Sequence, residues 1–173
     1  MDAVDCIKTR RSIRKYADKE VPDEILKELI DCARRAPASH GAQSWEFVLV
    51  RDKSTKEKLS KIHKWCGFVK GAAAVIVVCY DKMKLKFSPS DIINPSLAAQ
   101  NILLAAHSLG LGACWVFVKD FDDPDVEQKA KGLLGIPESA GVLCMIPVGY
   151  PDEKPAHKKL REIDDVLHME KWQ

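Results

Sequence analysis

From Asn94 to Trp115 the chain reads NPSLAAQNILLAAHSLGLGACW, and no Lys, Arg, Asp or Glu falls between Pro95 and Val118. On a helix, Leu97, Ala98, Ala99, Ile102, Leu103, Leu104, Ala105, Ala106 and Leu109 point in nearly every direction, so such a helix must be covered on all sides. Asn94 is placed to cap it, Pro95 suits a first turn, and Gly110 suits a left-handed end. The stretch is too short, and too interrupted by Gln100, Asn101, His107 and Ser108, to span a membrane. Two readings stand. One is the central helix of a globular core, which composition favours; the other is a helix shared by two subunits, since one small domain has difficulty covering every face of it.

With 173 residues, 46% hydrophobic and 30% charged, the chain has material for one sizeable core, and a single domain over residues 1–173 is expected, with 150–173 as a tail. A net charge of +2 is too small to point to nucleic acid, a membrane or an acidic partner, so any cationic site must be a local cluster. The opening MDAVDCIKTRRS carries early acids and no apolar run; no secretory signal is expected, and a cytoplasmic protein is. Cys6, Cys32, Cys66, Cys79, Cys114 and Cys144 are scattered, without a C-x-x-C pair or a His at zinc-ligand spacing. They are read as reduced and structural, with no metal site; Cys66, beside Trp65 and Gly67, leaves a reactive role open.

Taken in order, residues 2–9 suit a short helix with Val4 and Ile7 on one side. Arg10, Arg11, Ser12, Arg14 and Lys15 then crowd together, either as an anion site, because Arg offers planar two-pronged donors to phosphate, or as a solvated basic turn. Pro22 opens an amphipathic helix through Ile25, Leu26, Leu29, Ile30 and Ala33. The small, polar loop from Ala38 to Ser44 leads into a strand from Trp45 to Val50, and Ser54 to Glu57 has capping-box spacing for a helix through Leu59 and Ile62. Ala73 to Tyr80 reads as a strand buried on both faces, and Lys82 to Pro89 as a basic excursion. After the apolar helix come a strand over Ala113 to Val118, a helix from Pro124 to Leu134 and a last core strand from Val142 to Val148. The tail is basic from Lys154 to Arg161, and beyond it Ile163 to His168 suits an edge strand or a reach across to a partner.

The stock catalytic patterns are missing: Gly110-Leu111-Gly112 runs to Trp115 rather than to a third glycine, and there is no Walker A, G-x-S-x-G or H-E-x-x-H sequence. His40, His63, His107, His157 and His168 have no carboxylate or thiol partner by spacing. A chain without its own nucleophile or base is either a binding module or an enzyme whose cofactor performs the chemistry.

Four motifs in register carry a resemblance that bears on both. Arg10 to Tyr16, Ala36-Pro37-Ala38-Ser39 leading to Gln43 to Val48, Ala99 to Ala106 with Gly110 to Trp115, and Gly149-Tyr150-Pro151 with Lys154-Pro155 and Lys159-Leu160-Arg161 occur in the order and spacing of the nitroreductase family, which the chain resembles over almost its whole length. The resemblance implies an α+β fold, with a mixed central sheet flanked by helices. It also implies an intertwined homodimer with the apolar helix at its core and FMN at each of two subunit interfaces. Arg10 and Ser12 match positions at the FMN phosphate and ribityl groups, with Arg11 contributing nearby, Arg14 matches a basic residue near the flavin N1 and C2 carbonyl, and Lys159 and Arg161 match the tail's phosphate ligands. Trp115, Val116, Phe117 and Val118 match the stretch whose backbone passes the flavin N5. Ser39, His40 and Gly41 match a loop lent by the neighbouring subunit, and Lys64 and Lys70 are candidates for the pyrimidine edge.

The implied activity is a two-step hydride transfer, from NADH or NADPH to FMN and on to a small electron-poor acceptor such as a nitroaromatic, a quinone or a flavin, with no catalytic side chain and no nucleic-acid or membrane partner. Two alternatives are a flavin-binding module without turnover and a flavin-fragmenting or dehalogenating relative on the same fold. The loop departs from the family pattern at Gly41, where Asn is usual, and at Ser44, where Pro is usual.

Overall fold

The computed structural model describes residues 1–84, 90–119, 123–155 and 158–172. At its centre β2 (Ala74–Asp81) pairs antiparallel with β1 (Trp45–Val50) on one side and with β5 (Ala140–Gly149) on the other. The continuous apolar run of β2 is explained by burial on both faces. Ala74, Ile76, Val78 and Tyr80 face one apolar cluster, while Val75, Val77 and Cys79 face the other, as the two-residue period of a strand requires. Beyond β5 lie two short strands, β3 (Gly112–Ala113) and β4 (Val116–Phe117), both antiparallel to it. The parallel component of the sheet is a bridge between Ser12 and Ala113.

The first cluster is covered by α2 (Asp23–Ala33) and by α4 (Ser90–Ser108), which lies against the sheet and contacts α2 and α1 (Ala3–Thr9). Leu26 and Leu29 of α2 are wholly buried, each worth about 1.5–3 kcal/mol of apolar burial. The second cluster is covered by α3 (Lys53–Leu59) and α5 (Asp125–Leu134) through Leu59, Val126 and Ala130. Gly135 closes α5 at φ 66°, the left-handed position that glycine occupies without strain.

Four sequence expectations change. The helix α4 begins at Ser90, with Pro95 inside it and Asn94 wholly buried, so Asn94 does not cap it. Asp52 caps α3, accepting the Thr55 N–H at 2.6 Å, in place of a capping box at Ser54. The strand expected over Ala113 to Val118 is broken at Cys114 and Trp115, which lie opposite Ile146 and Pro147, and Pro147 has no N–H to donate. The tail forms a 3-10 turn at Ile163–Asp165 rather than an edge strand. Most of the basic excursion after Lys84 and His157 lie outside the described residues. Among the described residues no helix is long and apolar enough to cross a membrane.

Candidate functional site

The basic segment after α1 is extended and stitched down at both ends. Ile13 N–H donates to Ala113 O at 3.0 Å, Ala17 N–H to Tyr150 O at 2.9 Å, and Asp152 N–H to Lys15 O at 3.0 Å. Ile13 is buried directly against Gly112, where a Cβ would come within 2.6–2.9 Å of Ile13 side-chain atoms. The Tyr16 hydroxyl lies 2.6 Å from Ile13 O and 3.2 Å from Pro147 O. Burial, then the nearby Cys114 and Glu153, raise the Tyr16 pKa, keeping the phenol a neutral donor. The Glu153 carboxylate accepts the backbone N–H groups of both Arg14 and Lys15.

Beside this segment opens a cleft of about 890 Å³. Arg14, Cys114, Trp115, Val116 and Phe117 form one side, and Ile62, His63, Lys64, Trp65 and Phe68 another, with Asp123 and Val126 at the start of α5. Both cations of the cleft lie over aromatic rings: the Arg14 guanidinium 5.8 Å from the Phe68 centroid, and Lys64 Nζ 5.1 Å from that of Trp65. The turn carrying Lys64 and Trp65 is stapled by Cys66, whose Sγ lies 2.9 Å from His63 O and 3.3 Å from Leu59 O. Burial raises the Cys66 pKa, so this thiol is a structural staple rather than the reactive group its neighbours left open. His63 Nδ1 accepts the Trp65 N–H at 3.1 Å, so Nε2 carries the proton; Nε2 is buried with no hydrogen-bond partner among the described residues, which costs about 1–3 kcal/mol.

The structure brings some of the anticipated residues together and separates others. Arg14, Trp115, Val116, Phe117 and Lys64 share the cleft. Val118 is wholly buried behind it, its N–H committed to Leu143 O at 3.0 Å. Ser12 hydrogen-bonds toward Cys114, and with Arg14 it opposes the rise that burial imposes on that thiol's pKa. Arg10 and Arg11 are half-buried near the C-terminal end of α4, where burial and these two charges depress the His107 pKa. Lys70 lies instead in a separate cavity of about 600 Å³ with Lys19, Arg51, Lys53 and Lys56.

Ser39, His40 and Gly41 sit at the opposite end of α4. Asn94 Oδ1 accepts the Ser39 N–H at 3.1 Å, and Asn94 Nδ2 lies 3.4 Å from the buried Ser44 hydroxyl. The Ser44 departure is thereby absorbed by a polar partner. His40, Gly41 and Gln43 all have left-handed backbone, at φ 52°, 64° and 42°. From Asn94 to His107 the helix spans roughly 20 Å at 1.5 Å per residue, so this loop and the Arg10–Arg14 segment lie far apart within one chain. Lys159 and Arg161 are on the exposed tail, beside a shallow cavity of about 390 Å³ that the tail makes with itself.

Sequence reasoning missed Asn94 as a loop anchor, Glu153 as a clamp and the aromatic wall of Trp65 and Phe68. One signal for Glu153 was available: with Asp152 it supplies acid between Pro151 and the basic tail, opposite a basic segment.

The family profile described as "Nitroreductase family" matches residues 7–94 and 63–150. The chain belongs to the nitroreductase family. A relative from Methanothermobacter thermautotrophicus, provisionally named an NADH dehydrogenase/NAD(P)H nitroreductase, is 41% identical over 172 residues, covering 99% of this chain and 88% of its own. An FMN-dependent nitroreductase from Clostridium difficile superposes with a TM-score of 0.86 at 35% identity, over 98% of this chain and 99% of that one. An NADPH:FMN oxidoreductase from Vibrio harveyi, solved with NAD+, gives 0.87 at 26% identity, over 98% of this chain and 77% of that one. The nitroreductase fold, a helix-flanked antiparallel sheet, is therefore shared across the whole described chain.

Proposed function

We propose that this nitroreductase-family chain binds FMN and works as an NAD(P)H-dependent oxidoreductase. The observation that carries this reading is a set of three guanidiniums, Arg10, Arg11 and Arg14, on one anchored segment beside an open cleft. Among the described residues none of the three has an ion-pair partner. Uncompensated guanidiniums fit a phosphate dianion and an electron-rich ring edge. FMN in this cleft would accept hydride from NADH or NADPH and pass the electrons to an electron-poor acceptor in a separate half-reaction. Arg10, Arg11 and Ser12 would hold the phosphate and ribityl end, and Arg14, levelled by Glu153, would place positive charge at the pyrimidine edge. Trp115 to Phe117, where the chain rejoins the β5 ladder after its break at Cys114 and Trp115, would line the ring.

The same reading makes the working unit a homodimer. Ser39, His40 and Gly41 lie too far from Arg14 to serve its cleft within one chain, so they would serve the partner's. Exposed apolar side chains support this assembly: Val4 and Ile7 of α1, Ile93 and Leu97 of α4, and Leu160 and Trp172 of the tail. Lys159 and Arg161 would reach a phosphate only once the tail packs against a second copy.

Flavin content of the purified protein, steady-state turnover with NADH and NADPH against a quinone, and sedimentation mass test the proposal together. About one FMN per chain, parallel double-reciprocal lines and a mass of two chains are expected. Arg10→Ala should weaken FMN binding by about 1.5–3 kcal/mol with an unchanged melting curve of the apoprotein. Equal FMN affinity in that variant would remove Arg10 from the site, and flavin that NAD(P)H bleaches once without turnover would leave a binding module.

A further inference from the structure

The turn from His63 to Cys66 invests several internal contacts in holding two exposed side chains. Cys66 is wholly buried, its thiol staples the turn to Leu59 and His63, and His63 accepts the Trp65 N–H while its own Nε2 has no partner among the described residues. What this turn presents to the cleft is Lys64 and a Trp65 that is 74% exposed. A large aromatic ring held out in water at a cleft wall has a stacking face to offer. Lys64 Nζ stands over that ring, and among the described residues it has no carboxylate partner. Among the described residues the cleft has one acid, Asp123, which is turned to the start of α5, where it accepts the Asp125 N–H at 3.2 Å.

We propose that Lys64 and Trp65 form an acceptor-selecting corner, which stacks a planar aromatic ring on Trp65 and pairs an acidic substituent of that ring with Lys64. The preferred acceptor of this site is then an electron-poor aromatic acid rather than a neutral aromatic. This inference rests on the oxidoreductase reading above for its redox meaning, but the binding preference it asserts can be measured without turnover.

Two measurements on the FMN-loaded protein test it. The first is calorimetric titration with benzoate and with the neutral, isosteric benzamide. Benzoate should bind about fivefold more tightly or better, Lys64→Gln should abolish that difference, and Trp65→Ala should weaken both ligands by about three- to tenfold. The second is the ratio of kcat/KM for 4-nitrobenzoate to that for 4-nitrobenzamide, which in separate half-reactions reports only the oxidative half; the ratio should fall about fivefold in Lys64→Gln. Taking the ratio cancels any common change that the variant makes to the flavin.

Equal binding of benzoate and benzamide, or a preference that survives in Lys64→Gln and so belongs to Arg14 or another cation, overturns the inference. A benzoate preference that depends on Lys64 in a protein with no turnover would sink the oxidoreductase reading and leave the aromatic-acid corner standing.

Discussion

Glu153 and Arg14 stand 139 residues apart in sequence, yet the Glu153 carboxylate accepts the Arg14 backbone N–H and, at 3.1 Å, the N–H of Lys15 as well. One carboxylate thus fixes two successive peptides of the segment that carries Arg14 into the cleft. It meets the backbone, so the Arg14 guanidinium stays available to a ligand.

This contact separates a positioning role from mere stability. Glu153→Ala should cost about 1–2 kcal/mol of stability and weaken FMN binding, because two N–H groups lose their acceptor and Arg14 loses its fixed height. Glu153→Gln keeps an amide oxygen at the same reach, so it should recover most of the FMN affinity. If the Gln variant lost as much FMN affinity as Ala, charge rather than backbone geometry would be what Glu153 contributes. Fluorescence titration of the apoproteins with FMN, beside urea melts, makes the comparison.

Asn94 carries a second long-range tie, from α4 to the Ser39–Ser44 loop. Asn94→Leu would leave the Ser39 N–H without its acceptor and the buried Ser44 hydroxyl without its amide partner, for a loss of about 1–3 kcal/mol in a urea melt. If the loop serves a neighbouring subunit, the variant should also lose kcat/KM by more than its residual folded fraction accounts for. A loss of stability alone would confine Asn94 to the fold.

These two ties show where sequence reading stops. Elements bounded by their own chemistry were legible: β2 by its unbroken apolar run, α2 by its amphipathic spacing after Pro22, α5 by Pro124 and Gly135. Asn94 was read as the cap of α4, but the backbone N–H that its side chain satisfies is that of Ser39, 55 residues away, which no local pattern reveals. The break at Cys114 and Trp115 escaped for a similar reason, since it depends on what lies opposite in β5. In the candidate site, Arg14 and Trp115 to Phe117 meet within one chain. Ser39 to Gly41, Lys159 and Arg161 lie outside that cleft, because a family motif shows which residues recur and not how one chain spaces them.

His107 offers a pH test of the phosphate end. The Thr9 hydroxyl lies 2.6 Å from Asp5 O and 2.8 Å from His107 Nε2, so with its proton given to Asp5 the His107 Nε2–H is the donor to Thr9. Burial, then Arg10 and Arg11, lower the His107 pKa below its ordinary 6.5. A base with a depressed folded-state pKa favours the neutral form, so its contribution to stability is complete above about 6.5 and is lost as pH falls through the folded value. A phosphate dianion held by Arg10 and Arg11 offsets their charge, so FMN should raise the His107 pKa and, by linkage, FMN affinity should increase as pH falls through that range. NMR titration of the His107 ring with and without FMN reads this shift. An unmoved pKa would place the phosphate away from Arg10 and Arg11.

Gly112 tests how closely the basic segment is held to the sheet. Any side chain at this position meets Ile13, whose Cβ, Cγ1 and Cγ2 lie within 2.6–2.9 Å of where the new Cβ would stand. These atoms are at the branch point of a β-branched residue and cannot swing aside as the tip of a long side chain would. Gly112→Ala should therefore cost about 1–3 kcal/mol and push residues 12–14 away from Ala113, weakening FMN binding beyond the loss of folded protein. Ile13→Ala in the same chain removes the clashing branch, so the double variant should bind FMN more tightly than Gly112→Ala alone, although it gives up the apolar burial of Ile13. If the two substitutions instead added independently, the bridge between Ser12 and Ala113 would not be what holds Arg14 in the cleft.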